Sequence, residues 1–134
     1  MYLGLDLGTS GVKAMLMDAD QNIVGAAHGA LDVSRPHSGW SEQDPAHWVR
    51  ATREAVAGLK ATHPAELAAV KGIGLSGQMH GATLLDGADK VLRPCILWND
   101  TRSYKEAAEL DADPRFRALT GNIVFPGFTA PKLV

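Results

Sequence analysis

The sequence predicts an α/β layered domain, and three observations carry the prediction. Leu3, Leu5 and Leu7 alternate with Gly4 and Asp6, the period of two of a strand with one apolar face. Two more strand-like runs, residues 12–17 and 23–33, follow across short turns rich in Gly, Ser, Asp and Asn, so the first three strands should be consecutive and antiparallel. Trp48, Ala51, Thr52, Ala55, Val56 and Leu59 then recur at helical spacing. Strands, a helix, then further strands and helices call for helices layered on a sheet. At 134 residues and 46% apolar content, the chain is one domain or part of one, with enough material for a core.

The first hairpin brings several kinds of chemistry together. Asp6 falls at the end of its strand, facing away from the leucines. Gly8 and Gly11 bracket Thr9 and Ser10, and glycines there can take positive φ and bring backbone N–H groups close to an anion. Lys13 adds a cation on the returning strand. A carboxylate, a ring of donors and a cation suit a metal-bound polyphosphate, and the carboxylate suits Mg²⁺. The same residues also describe a tight hairpin with Asp6 as a turn residue, and the local pattern leaves both readings standing.

The turn at residues 18–22 is built from turn-forming residues. A loop over 34–43 carries Pro36 and Gly39. Asp44 and Pro45, an N-cap acid and a first-turn proline, open the long helix, which ends before Pro64. A short helical piece at 65–69 leads into a fourth strand at 71–76, whose exit is Gln78-Met79-His80-Gly81. Residues 82–92 read as a hairpin turning at 86–90, and 94–98 as a strand ending in Asn99, Asp100, Thr101 and Arg102. Two helices follow, the second opening at Asp113-Pro114. Residues 129–134 look like the first turn of a helix without a stop signal, as if the chain were cut mid-element. No internal repeat, low-complexity tract or interdomain linker is visible.

The net charge of −2 gives no electrostatic case for nucleic acid or an anionic membrane, so any phosphate binding is local. The single cysteine, Cys95, excludes an internal disulfide and fits a reducing compartment; its apolar neighbours Ile96 and Leu97 suggest a buried thiol. No signal peptide and no apolar run of transmembrane length is seen, and a cytoplasmic location is expected. Gly72-Ile73-Gly74-Leu75-Ser76-Gly77 matches the dinucleotide pattern GxGxxG in letters only. Its glycines lie inside the expected strand, a hairpin rather than a helix follows, and the acid required about 20 residues on is missing. Those glycines are expected instead to admit close approach of backbone or ligand.

The order of elements resembles the ribonuclease-H-like unit shared by actin, Hsp70 chaperones and sugar kinases. Five stretches sharpen the resemblance: GLDLGTSGVK at the start, WSEQDP at 40–45 with Trp48 following, GQMHGATLLD at 77–86, WNDTR at 98–102, and TGNIVFPGFTAPKL at 120–133. Together they are similar to the FGGY carbohydrate kinases, and within them to the xylulokinases. The resemblance covers the whole chain as the N-terminal part of that family's sugar-binding domain. It implies ATP-dependent transfer of the γ-phosphoryl group to the 5-hydroxyl of D-xylulose. Asp6 would be the catalytic and metal residue, holding Mg²⁺ through water. Gly8, Thr9, Ser10 and Gly11 would surround the phosphates, with Lys13 near the transferred group. Gln78, Met79, His80, Trp98 and Asp100 would face the sugar. Glycerol kinases carry Arg-Glu where this chain has Met79-His80, a difference that favours a pentulose.

Each residue also has a plainer reading. His80 can be a structural histidine, Trp98 core, Asp100 a helix N-cap, Arg102 a surface charge, and Trp40 and Trp48 packing residues. The histidines His28, His37, His47 and His63 show no metal-ligand spacing. The family's proton-accepting aspartate lies beyond residue 134 and most nucleotide contacts come from a second domain, so this chain alone is expected to show no kinase turnover. Partners implied are the sugar and a second copy in a homodimer, with no nucleic acid and no membrane. A ribulokinase or other FGGY kinase, a two-metal nuclease and a non-catalytic nucleotide-binding module are the competing functions. The nuclease needs several acids converging with Asp6, and the sequence offers no second acid on a neighbouring strand.

Overall fold

The computed structural model describes residues 1–134, which divide into two compact units. The first comprises residues 1–32 and 46–78; the second, residues 33–45 and 79–134.

The first unit is a four-stranded sheet covered by one long helix. Strands β1 (Tyr2–Leu7), β2 (Gly11–Met17) and β3 (Ile23–Ala30) form the expected antiparallel meander. Helices α1 (Pro45–Thr62) and α2 (Pro64–Ala68) lead to the next strand of this unit, Gly72–Ser76, which pairs parallel with β1, giving the spatial order β3, β2, β1, Gly72–Ser76. Leu3, Ala14 and Leu16 on one sheet face pack against Ala55 and Leu59 of α1, while Val12, Leu31 and Ala51 form a second cluster with Leu7 and Trp48. The helix lies unusually close to the sheet. A Cβ on Gly29 would stand 2.1 Å from the Ala51 carbonyl oxygen, and one on Gly58 would be 3.0 Å from the Ala27 methyl. β3 stops at Ala30, short of the expected residue 33, although Leu31 still donates to the Ser10 carbonyl at 3.1 Å. In the turn between β2 and β3, one Asp18 oxygen accepts from the Asp20 and Asn22 amides at 2.9 Å, and Gln21 adopts φ +67°.

The second unit is assembled from short elements. Residues 34–43, expected to be a loop, include strand β4 (Glu42–Gln43), which pairs antiparallel with a strand at Cys95–Ile96. In chain order Gly72–Ser76 is therefore β5 and Cys95–Ile96 is β6. The strand expected over 94–98 is confined to those two residues. The hairpin over 82–92 is closed by a single isolated bridge, Leu85 with Val91, rather than by regular strands, and Ala82 bridges instead to Ile96. Its turn repeats the device seen at Asp18: Asp86 accepts from the Ala88 and Lys90 amides at 2.9 Å, with Asp89 at φ +60°. Helices α3 (Tyr104–Ala112) and α4 (Pro114–Thr120) follow as expected. Asp113 caps α4 through the Arg115 amide, and Gly121 ends it in the left-handed conformation at φ +69°. The final turn expected at 129–134 is a 3₁₀ turn, Ala130–Lys132, anchored by buried Pro131. No helix is long and apolar enough to cross a membrane.

Candidate active site

In the first unit the candidate residues gather at the β1–β2 turn. Asp6 and Lys13 are cross-strand partners and both are exposed, and Ser76 is the register partner of Asp6 on β5. Partners in register share a sheet face, so these three side chains lie on the face opposite α1. Gly4, Gly74 and Met15 complete a depression of about 450 Å³ there. Asp6 has no hydrogen-bond or ion-pair partner within the chain, leaving a hard carboxylate available to solvent or ligand.

The glycines of the turn serve a different purpose from the one expected. Neither Gly8 nor Gly11 adopts positive φ. Instead their missing side chains give space. Gly8 donates to the Gly11 carbonyl at 3.0 Å, and a Cβ on Gly11 would lie 2.7 Å from the Gly29 carbonyl oxygen. Gln78, expected beside the sugar, turns back to this loop: its Nε2 donates to the Gly8 carbonyl and its Oε1 accepts from Thr9 Oγ1, each at 3.4 Å. Thr9 is half-buried and Ser10 exposed. No other part of the chain lies within 4 Å of a Cβ at Gly74 or Gly77, and one on Gly72 would be 3.4 Å from the Tyr2 ring. β5 lies in strand conformation with no helix following, which disposes of the dinucleotide pattern.

In the second unit the motifs at 40–45 and 98–102 meet. Asp100, only 1% exposed, accepts from Arg102 Nε and Nη2 in a bidentate pair, from the Arg102 amide at 2.9 Å and from the Ser41 amide at 2.6 Å. Arg102 also donates to Glu42 at 2.7 Å, which accepts from Arg93 at 2.8 Å, and its guanidinium stacks 3.6 Å from the centroid of the Trp40 ring. Burial acts to raise the Asp100 carboxyl, yet the bonds from Arg102 and Ser41 outweigh it and hold the group below the ordinary carboxylate range. Asp100 is thus the centre of an internal frame. The N-cap position of α3 belongs to Ser103 instead. Arg102 is part of that frame and not a surface charge, whereas Trp98 is 51% exposed and not core.

His80 and Met79 are both exposed. His80 takes φ +62°, a conformation that side-chain-bearing residues rarely adopt, and its ring stacks on Phe128 at 4.6 Å. It lines a cavity of about 460 Å³ with Phe116, Asn122, Ile123 and Phe128 among its walls. The His80 carbonyl accepts from Lys132 Nζ at 2.7 Å. Cys95 is fully buried as expected, and burial pushes its thiol above the ordinary value.

The whole chain, residues 1–134, matches the model of the N-terminal domain of the FGGY family of carbohydrate kinases. The chain belongs to the FGGY family. It is 53% identical over 135 residues to the xylulose kinase of Escherichia coli K12, covering all of this chain and 28% of that protein. Among solved structures it is similar to a xyloylose kinase from Brucella ovis, with 79% identity and a TM-score of 0.97, and to the xylulose kinase from Rhodospirillum rubrum, with 36% identity and a TM-score of 0.90. Each match covers 98% of this chain and 28% of the solved one. The chain therefore spans somewhat over a quarter of the length of these relatives. The FGGY assignment carries the expected sugar-kinase fold with it.

Three groups in this FGGY domain escaped the sequence reading. Ser76 was legible as the register partner of Asp6 only once β5 was known to lie parallel to β1. Lys132 and Phe128 lie in the TGNIVFPGFTAPKL stretch, where the residue types alone give neither of them a role.

Proposed function

We propose that this chain is the N-terminal part of the sugar-binding domain of a kinase that transfers the γ-phosphoryl group of ATP to the 5-hydroxyl of D-xylulose. The match of the whole chain, at 53% identity, to a stretch making up 28% of a xylulose kinase carries the reading. The geometry supports it on both sides of the reaction. Asp6, Lys13 and the hydroxyls of Thr9 and Ser10 would form the phosphate side, on a turn that Gly8 and Gly11 close through the bond from the Gly8 amide to the Gly11 carbonyl. Lys13 would offset charge on phosphoryl oxygens, and the donors of the turn would orient them; such transfers depend on positioning and charge neutralisation more than on covalent help.

The residues fit Mg²⁺. No group of three or more His, Cys, Asp or Glu converges to cage an ion, whereas a single free carboxylate suits a largely hydrated cation shared with phosphate. Asp6 would hold it through water. When bound, it would neutralise charge on the nucleotide's phosphates. On the sugar side His80 offers a donor and an acceptor to hydroxyls, and exposed Met79 and Trp98 offer apolar surface to the carbon skeleton. Gln78 supports the phosphate turn. The proton acceptor for the sugar hydroxyl is assigned to residues of the full-length protein that follow this chain, and its setting to the cytoplasm.

The test is a coupled ADP-release assay on the full-length protein with D-xylulose, D-ribulose and glycerol. Xylulose should have the highest kcat/KM, and preference for another sugar would overturn the assignment. In the same protein Asp6→Ala should abolish turnover while leaving the melting temperature unchanged; retained turnover would leave Asp6 without a role.

A further inference from the structure

We propose that Lys132 is a positioning residue of the sugar site, its ammonium fixing His80 in the conformation that presents the imidazole to substrate. The inference rests on the reading of His80 as a sugar ligand.

Lys132 Nζ donates to the carbonyls of His80 and Gly127, both at 2.7 Å. Its acceptors are two backbone oxygens from separate loops, and no carboxylate pairs with it. This is the arrangement of a tie: charge-assisted bonds to neutral carbonyls fix backbone without forming an ion pair. His80 needs such a tie. A left-handed conformation in a residue with a side chain persists only where its surroundings over-determine it, and such residues gather at ligand sites.

The tie also sets the other half of the ring stack. Gly127, gripped by the same ammonium, immediately precedes Phe128, whose ring lies 27° from parallel to the His80 imidazole. Gly127 is itself pressed against the backbone of Trp98, since a Cβ there would lie 2.1 Å from the Trp98 carbonyl oxygen. One ammonium thus orders His80, Phe128 and the segment lying against Trp98. Behind His80, a Cβ on Gly81 would be 3.0 Å from Cys95 Sγ, so the turn has little room to relax on that side. The half-buried lysine stem spans the space between the loops.

The experiment uses the full-length enzyme. Lys132→Met should raise KM for D-xylulose about tenfold or more, with KM for ATP unchanged, as expected for loss of charge-assisted bonds that order one substrate's site. In a double-variant cycle, Lys132→Met combined with His80→Ala should cost clearly less than the sum of the two single losses; fully additive losses would overturn the proposal. NMR of histidine-labelled protein gives a readout that needs no substrate. Removing the ammonium should shift the His80 ring resonances, which lie in the field of the Phe128 ring, and unshifted resonances would overturn the tie. If His80→Ala leaves the xylulose KM unchanged while those resonances move, the tie stands and the sugar reading falls. Should Lys132→Met not fold, Phe128→Leu, which removes the stack on His80 together with the edge contact to Phe125, must raise the same KM; an unchanged KM would sink the idea.

Discussion

Asp100 and Arg102 show how much a single buried pair decides. Removing one partner of a buried, hydrogen-bonded ion pair leaves an uncompensated charge and costs about 3–5 kcal/mol. Arg102→Met should therefore lower unfolding stability by that order, measured by urea titration, because Asp100 loses its counterion and Glu42 is left with Arg93 alone. The pair also sets a pH dependence. The folded Asp100 carboxyl lies below its unfolded value of 3.8, so its stabilisation is complete above that value and is lost as pH falls through the folded pKa. The melting temperature of the wild type should fall steeply on acidification, and Asp100→Asn, though less stable at neutral pH, should show a shallower acid slope. Ser41 is the counter-example. Its amide serves Asp100 while its hydroxyl is buried without a partner, so Ser41→Ala removes an unsatisfied group and should raise stability by about 1 kcal/mol. These roles were only partly legible in the sequence. WSEQDP and WNDTR could be recognised as motifs, but nothing in their spacing says that Ser41 and Asp100, 59 residues apart, share a hydrogen bond.

At the scale of elements, strong periodicity was read correctly and short, polar pairing was not. Helix α1 declared itself through Ala51, Ala55 and Leu59, all fully buried, and β1 through Leu3, Leu5 and Leu7. β4 went unseen because its two residues, Glu42 and Gln43, are polar and yet buried; the ladder to Cys95–Ile96 and the salt bridges make that burial tolerable. The β1–β2 turn misled in a subtler way, since glycine can supply either conformational freedom or space, and here it supplies space. The same need rules the contact of β3 with α1. Gly29→Ala would place a methyl on the Ala51 backbone carbonyl, and with strand and helix both held by their own hydrogen bonds, about 1–3 kcal/mol should be lost. A melting temperature equal to wild type would show that the helix slides aside freely.

On the scale of the whole molecule, the sheet order adds what the expected fourth strand at 71–76 left open. β5 is the outer strand of the four, and its Ile73 and Leu75 are 62% and 80% exposed. An unpaired edge bearing such side chains is a template for another strand. Expressed as residues 1–134, the chain should self-associate with rising concentration, and Leu75→Lys should reduce that association in analytical ultracentrifugation. The sequence could not announce the edge, because a run of glycine and branched apolar residues looks the same in the middle of a sheet as at its border. The parallel β1–β5 ladder also has a consequence in time. β1, β2 and β3 are neighbours along the chain and can pair as they leave the ribosome, but Leu5 meets its partner Leu75 only after seventy more residues are made. At about 5–20 residues per second that delay is roughly 4–14 s, during which the nascent meander must stay soluble with one border open.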